Sequence, residues 1–121
     1  MPDISSLPHH HHPSEDSLEH MPALTEFETA ADLFKLLGDP TRARLFWLVC
    51  HCEECVVNLS AMMQMTSPAI SHHLKLLKAC GLIHSRREGK EVYYHAADTE
   101  IAQALHHMIE KVVKITCPRH E

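Results

Sequence analysis

The fold of this chain is decided by the stretch Thr66-Ser67-Pro68-Ala69-Ile70-Ser71-His72-His73-Leu74-Lys75-Leu76-Leu77. Its apolar stripe recurs at helical spacing and consists of Ile70, Leu74 and Leu77. Such spacing predicts a helix whose apolar face packs on a core. The opposite face is short, polar and basic, and it carries Ser67, Ser71, His72 and Lys75. We therefore expect this second face to point toward solvent or a ligand.

Three further helices are predicted before this one. The first has about 13 residues within 24–38, and Gly38 stops it. The second opens at Asp39-Pro40, an N-cap followed by proline at the first helical position, and runs to about residue 50. A short third helix fits 54–63. The fourth opens at Ser67-Pro68 by the same device, and Gly81 closes it as a left-handed C-cap.

A β-hairpin and a last helix are predicted after it. Segments 82–86 and 91–95 alternate in polarity, and the glycine of Arg87-Glu88-Gly89-Lys90 permits a tight reversal between them. The last helix begins after Asp98 as its N-cap. Its apolar positions step by four and three residues: Ile101, Leu105, Met108, Val112 and Ile115. A terminal stripe of this kind predicts a dimer partner.

Length and composition favour one folded domain. The 121 residues are 45% apolar, and no apolar run is long enough for a membrane span. We predict the domain within 23–117, and a disordered, acidic, His-rich tail over 1–22. The run His9 to His12 in that tail is either a weak metal-collecting arm or a tag left from expression. Five cysteines without an apolar signal segment indicate a reducing cytoplasm.

The charge is unevenly distributed. The net charge is -5, which by itself argues against a nucleic-acid binder. Residues 1–28, however, carry six acidic and no basic side chains, whereas 71–90 carry five basic residues against Glu88 alone. The basic charge is therefore concentrated in the predicted fourth helix and the hairpin, as a nucleic-acid site requires.

Helices followed by a basic hairpin predict a mainly α winged helix-turn-helix that dimerises through its terminal helices and binds DNA. In that geometry the fourth helix enters the major groove and the hairpin lies along the backbone. The residues predicted to contact bases or phosphates from the helix are Ser67, Pro68, Ser71, His72 and Lys75. Those predicted to neutralise phosphates from the hairpin are Arg86, Arg87 and Lys90.

Three motifs resemble the ArsR/SmtB family of metal-sensing repressors. They are Leu37-Gly38-Asp39-Pro40-Thr41-Arg42, the stretch 66–77, and Arg87-Glu88-Gly89-Lys90-Glu91-Val92-Tyr93-Tyr94. The resemblance covers about 24–116. It implies a homodimeric repressor that sits on double-stranded operator DNA with dyad symmetry and leaves when an inducer binds. It also implies that the terminal helices pair in the dimer.

The inducer site is predicted at a cysteine cluster. In the family's thiolate stretch Cys55 matches the first thiol, and Val57 replaces the second. Cys50 and Cys52 lie just upstream, so three thiolates stand within six residues, with His51 or Cys117 as a further donor. Such a set suits a soft ion: As(III), Cd(II), Pb(II) or Zn(II). Closing the shell would require local unwinding beside the DNA-reading helix, and this would lower DNA affinity.

Two other sensing sites are weighed against the cluster. The family's zinc site between terminal helices has Asp98 and Glu100 here, but lysines at the later positions, and protonated amines cannot bind a cation. Nearby, His106, His107 and Glu110 are either a shifted site or a solvated helix face. The second alternative is a redox or persulfide sensor that uses one cysteine in the second helix and one in the last, Cys50 and Cys117.

An enzyme is not expected. A Cys/His nucleophile pair needs a cleft and an oxyanion hole. The three glycines of the chain are already assigned to helix ends and a turn.

Overall fold

The computed structural model describes Ser6, Pro8 and residues 14–116, with side chains as far as Lys114. The chain divides into two compact units, 1–32 and 33–121. In the first unit a short helix, α1 (Glu15–Glu19), is capped by the Ser14 hydroxyl, which accepts the Ser17 N–H at 3.3 Å. The predicted tail over 1–22 thus contains one helical turn. Its boundary stays a prediction, and the run His9 to His12 lies outside the described residues.

Five longer helices follow: α2 (Leu24–Leu37), α3 (Pro40–His51), α4 (Val56–Met63), α5 (Ser67–Ala79) and α6 (Glu100–Thr116). The start of α3 follows the prediction closely. The Asp39 carboxylate accepts the Arg42 N–H at 2.9 Å, and proline occupies the first turn, where its missing N–H leaves no bond unmade.

A third strand corrects the predicted start of the third helix. Glu54 and Cys55 form β1 (Glu54–Cys55), and α4 begins two residues later than expected. The reason is pairing across the fold, because Glu54 lies opposite Tyr94 and Cys55 opposite Tyr93 in an antiparallel ladder. Two residues are too few to show a strand period in the sequence. The predicted hairpin is therefore part of a three-stranded sheet in the order β1-β3-β2.

The N-caps of α5 and α6 also differ from the prediction by one residue. Thr66, not Ser67, caps α5, because its hydroxyl accepts the Ala69 N–H at 3.4 Å. Thr99, not Asp98, accepts the Ala102 N–H at 3.1 Å at the start of α6. In both places two neighbouring residues are good caps, and the register of the helix on the core selects between them.

The hairpin consists of β2 (Ile83–Glu88) and β3 (Glu91–Ala96). Glu88 lies opposite Glu91, so the turn is the pair Gly89-Lys90, and Gly89 has the positive φ of 63° that the reversal requires. Gly81, at φ 81°, ends α5 as predicted: its N–H donates to Lys78, and the next N–H donates to Leu77.

The core of the second unit lies between α3, α4, α5 and the sheet. Its most deeply buried side chains are Phe46, Leu45, Leu59, Ile70, Leu74, Leu77, Leu82, Ile83 and Val49. The predicted stripe of α5 is therefore buried, which turns the other face of this helix outward. Along residues 14–116, none of the helices combines the length and apolar character that a bilayer crossing requires.

Candidate nucleic-acid interface and effector site

The outward face of α5 presents the predicted contact residues. Pro68, Ser71, His72 and Lys75 are all exposed. Ser67 differs from them, because its hydroxyl lies 3.2 Å from that of the buried Ser60, which in turn donates to the Val56 carbonyl at 2.7 Å. Ser67 thus fixes the angle between α4 and α5.

Two adjacent histidines of α5 have different environments. His73 accepts a hydrogen bond at Nδ1 from Arg42 Nε at 3.3 Å, and Arg42 also donates to the Leu36 carbonyl at 2.9 Å. Burial, and then the charge of Arg42, lower the pKa of His73. His73 therefore stays neutral and locks α5 to the helices behind it, while His72 remains exposed for a ligand.

The basic residues of the hairpin also differ in whether they are bonded to neighbouring side chains. Arg86 forms ion pairs with Glu53 at 2.8 Å and Glu88 at 3.1 Å, and its guanidinium lies 5.0 Å above the Tyr93 ring. These bonds raise the pKa of Arg86 and lower the pKa of Glu53. Arg86 thus links β2 to Glu53, beside β1, and to the Tyr93 ring of β3.

Arg87 and Lys90 differ from Arg86 in their surroundings. Both are exposed, and neither makes an ion pair with any residue that the structure describes. Lys78 ties α5 to the hairpin, because its ammonium donates to the Ser85 hydroxyl at 2.7 Å. The end of α5 is therefore tied to the first half of β2, and the exposed residues of the helix and of the hairpin belong to neighbouring elements.

The three clustered cysteines do not bring their thiols together. Cys55 is buried at β1, and the Cys52 thiol donates to the Leu48 carbonyl at 3.3 Å. Cys50 is half-buried, and burial, assisted by the charge of Glu110, raises its pKa to about 11. Cys50, Cys52 and Cys55 are not among the described ligand sets whose atoms lie within 4.8 Å of one another. Cys117 lies outside the described residues.

One ligand set does converge, at the junction of α3 and α6. The Nε2 atoms of His51 and His106 lie 3.0 Å apart, and each lies 3.4 Å from Oε2 of Glu110. Trp47 donates from Nε1 to the same oxygen at 3.1 Å, and its ring centroid is 4.3 Å from that of His51. Another described set, Asp16, Glu19 and His20, is fully exposed on α1.

Sequence reasoning placed part of this cluster and missed the rest. It grouped His106 and Glu110 with His107, but His107 is exposed and belongs to neither described set. It weighed His51 as a donor to the cysteines, and it gave Trp47 no role. The sequence pattern that could have revealed the cluster is a spacing of four residues. It relates Trp47 to His51 and His106 to Glu110, and it puts each pair on one helix face.

Comparisons with known proteins agree with this fold. Residues 39–85 match the family model described as "Bacterial regulatory protein, arsR family". The chain is 37% identical over 79 residues to the "Transcriptional repressor SmtB homolog" of Synechocystis sp., a match that spans 65% of this chain and 60% of that relative. It is 36% identical over 91 residues to the "Arsenic resistance transcriptional regulator ArsR1" of Pseudomonas putida, across 74% of this chain and 70% of the relative.

A solved structure shows the same fold. It is the homodimeric winged helix-turn-helix DNA-binding domain of Mb0332 from Mycobacterium bovis, described as a possible ArsR-family regulator. The two superpose with a TM-score of 0.68 at 24% identity, over 90% of this chain and 95% of that one. The winged helix-turn-helix predicted from the sequence is therefore confirmed.

Proposed function

The chain belongs to the ArsR family of DNA-binding transcription regulators, and from that premise we propose that it is a homodimeric cytoplasmic repressor that leaves its operator when a soft metal or metalloid ion binds. The observation that carries DNA binding is the exposed polar and basic surface of α5 and the hairpin. Ser71, His72 and Lys75 face outward from the helix, and Arg87 and Lys90 from the hairpin. Pro68 and the anchored Ser67 and Arg86 set the shape of that surface.

The division of roles follows from chemistry. Ser71 and His72 are short enough to approach base edges in the major groove, while Lys75, Arg87 and Lys90 supply charge to the phosphates. A surface of this size covers one half-site, so recognition of an operator with dyad symmetry requires two copies.

A second copy of this chain is the proposed occupant of the apolar face of α6. Ile101 is 58% exposed and Met108 57%, although both belong to the stripe predicted for pairing. Beside them an open groove of about 1190 Å³ runs along α3 and α6, with Trp47 and Met108 in its lining. The homodimeric relative from Mycobacterium bovis supports this choice of partner.

The inducer is proposed to bind at Cys50, Cys52 and Cys55, with Cys117 as a further ligand. The thiolate donors suit an ion of the class As(III), Cd(II), Pb(II) or Zn(II), and the arsenic-resistance regulator among the relatives supports arsenic within that class. Since the thiols stand apart in this protein, an ion that gathers them has to move the backbone between them. That backbone runs from the end of α3 through Glu53, which holds Arg86, into β1, which pairs with β3.

Metal binding would therefore act on the hairpin directly. Drawing Cys52 and Cys55 onto one ion displaces β1 from β3 and separates Glu53 from Arg86. The hairpin then loses its fixed position relative to α5, and the conformation competent for DNA becomes less populated.

DNA binding is tested by fluorescence anisotropy with a labelled operator fragment at several salt concentrations. The variant Ser71→Ala plus Lys75→Ala is expected to bind at least about tenfold more weakly, since each base contact contributes about 1–3 kcal/mol. The matched control Lys35→Ala removes one charge from the exposed face of α2 and should bind as the wild type does. Unchanged affinity of the double variant would remove α5 from its proposed role.

The inducer is tested by titrating the protein–DNA complex with As(III), Cd(II), Pb(II), Zn(II) and an organic persulfide. We expect one or more of the ions to release wild-type protein and none to release the variant in which Cys50, Cys52 and Cys55 are serine. Release of both proteins by the same ion would contradict the cysteine site. Release by persulfide alone would replace it with the redox mechanism of Cys50 and Cys117.

A further inference from the structure

The junction of α3 and α6 has the dimensions of a metal centre. In a tetrahedral site with ligand bonds of 2.0–2.1 Å, neighbouring ligand atoms stand about 3.3 Å apart. The three separations among His51 Nε2, His106 Nε2 and Glu110 Oε2 are 3.0, 3.4 and 3.4 Å. An ion can therefore enter between them with little movement of the side chains.

The surroundings of the cluster suit an ion from solvent. The side chains of His51, His106 and Glu110 are 43%, 21% and 42% exposed, so the site is open on one side and shielded on the other. Trp47 holds the carboxylate in place through its hydrogen bond to Oε2, as outer-shell groups do at metal sites. The Nε2 atoms of the two imidazoles face each other at 3.0 Å, so both ring nitrogens already point at the position that an ion would occupy.

We propose that His51, His106 and Glu110 bind one divalent cation of borderline softness, such as Zn(II), Co(II) or Ni(II), and so clamp α3 to α6 within a protomer. Two imidazoles and a carboxylate favour such ions over As(III) or Pb(II), which prefer thiolates. The site is separate from Asp98, Glu100 and the lysines between terminal helices, and also from the thiols of Cys52 and Cys55. It does not rest on the proposed operator binding.

The chain carries its own probe for this site. Trp47 is the single tryptophan, and it contacts both His51 and Glu110. A paramagnetic ion bound to those residues quenches tryptophan fluorescence at short range. The experiment titrates Co(II) into the full chain without DNA, in a background where His9 to His12 and His20 are alanine, so that neither the histidine run nor the ligand set on α1 contributes.

We expect saturable quenching at one Co(II) per protomer, with ligand-field absorption of a nitrogen and oxygen site and no thiolate charge-transfer band. His106→Ala and Glu110→Gln should each weaken binding at least about tenfold, as loss of even an outer-shell partner does. Glu110→Gln keeps the shape of the side chain, so its result does not depend on the folding of His106→Ala. The matched control His107→Ala, one residue along the same helix, should bind as the background protein does.

Three results would overturn the site. The first is equal quenching in the background protein and in Glu110→Gln. The second is that His107→Ala loses as much binding as His106→Ala does. The third is quenching that is present in the wild type but absent from the tail-substituted background. Since DNA is absent from the assay, each leaves the operator proposal and the cysteine proposal standing.

Discussion

The DNA-facing surface and the junction of α3 and α6 are assembled in different ways. The surface comes from one stretch, 66–90, in which helix, turn and hairpin follow each other and position the exposed side chains locally. The junction brings together His51 and His106, which are 55 residues apart in the chain. The DNA-facing surface should therefore tolerate substitutions outside 66–90, whereas the junction depends on how α6 packs against α3. Substitutions in the two regions should therefore have separable effects.

The largest expected effect concerns the exposed apolar face of α6, beside the junction of α3 and α6. Met108→Asp puts a charge on the apolar face of α6, and we expect the dimer to dissociate in sedimentation experiments. Operator affinity should fall at least about 100-fold, because a monomer reaches one half-site. Met108 is 57% exposed in the protomer, so the protomer itself should remain folded. Met108→Leu is the control, and a Met108→Asp protein that is still dimeric would show that α6 is not the interface.

A second prediction concerns the thiol beside the junction. Because burial and Glu110 raise the pKa of Cys50 to about 11, this thiol is protonated at neutral pH. Its alkylation rate by iodoacetamide should rise about 90-fold between pH 8 and pH 10, against about fourfold for a thiol with an ordinary pKa of about 8.5. Peptide mass spectrometry with glutathione as the reference measures this. A fourfold rise would mean that Cys50 is a ready thiolate and would favour the redox alternative.

The smallest effect separates two roles for Arg86. If Arg86 anchors the hairpin, Glu53→Gln should weaken operator binding by a factor of only about two to five, because solvent-exposed ion pairs contribute little. If Arg86 instead contacts phosphate, the same change frees it and affinity stays equal or rises. Anisotropy measured for Glu53→Gln and for Glu91→Gln, an exposed glutamate of β3, decides between them.

Most of the fold could be predicted because its signals are local. Apolar spacing and caps placed α2, α3, α5, α6 and the hairpin, and the motifs that follow one another along the chain indicated the family correctly. That family consists of DNA-binding regulators and not of enzymes, as expected from the sequence. The predictions that were wrong concern features that depend on contacts between residues of different elements. Glu54 and Cys55 are a strand because β3 lies beside them, and Thr66 caps α5 because Ser67 is held by Ser60.

The candidate site residues also differ in whether local sequence or distant contacts determine their surroundings. Lys75, Arg87 and Lys90 are exposed as the pattern predicts, whereas the commitment of Arg86 to Glu53 depends on a residue 33 positions away. Sequence proximity suggested a shared site for three thiols, yet helix α3 ends and β1 begins between them, which keeps them apart.

Residues 50–55, which carry the three cysteines, are proposed to control the DNA-facing surface through β1. The most direct test is amide hydrogen exchange of residues 91–96 during addition of Cd(II), measured beside operator release in wild type and in the Cys50, Cys52 and Cys55 to serine variant. We predict that exchange in β3 accelerates over the same Cd(II) concentrations that release DNA, and that neither happens in the variant. Release of wild-type protein with unchanged exchange in β3 would contradict the claim.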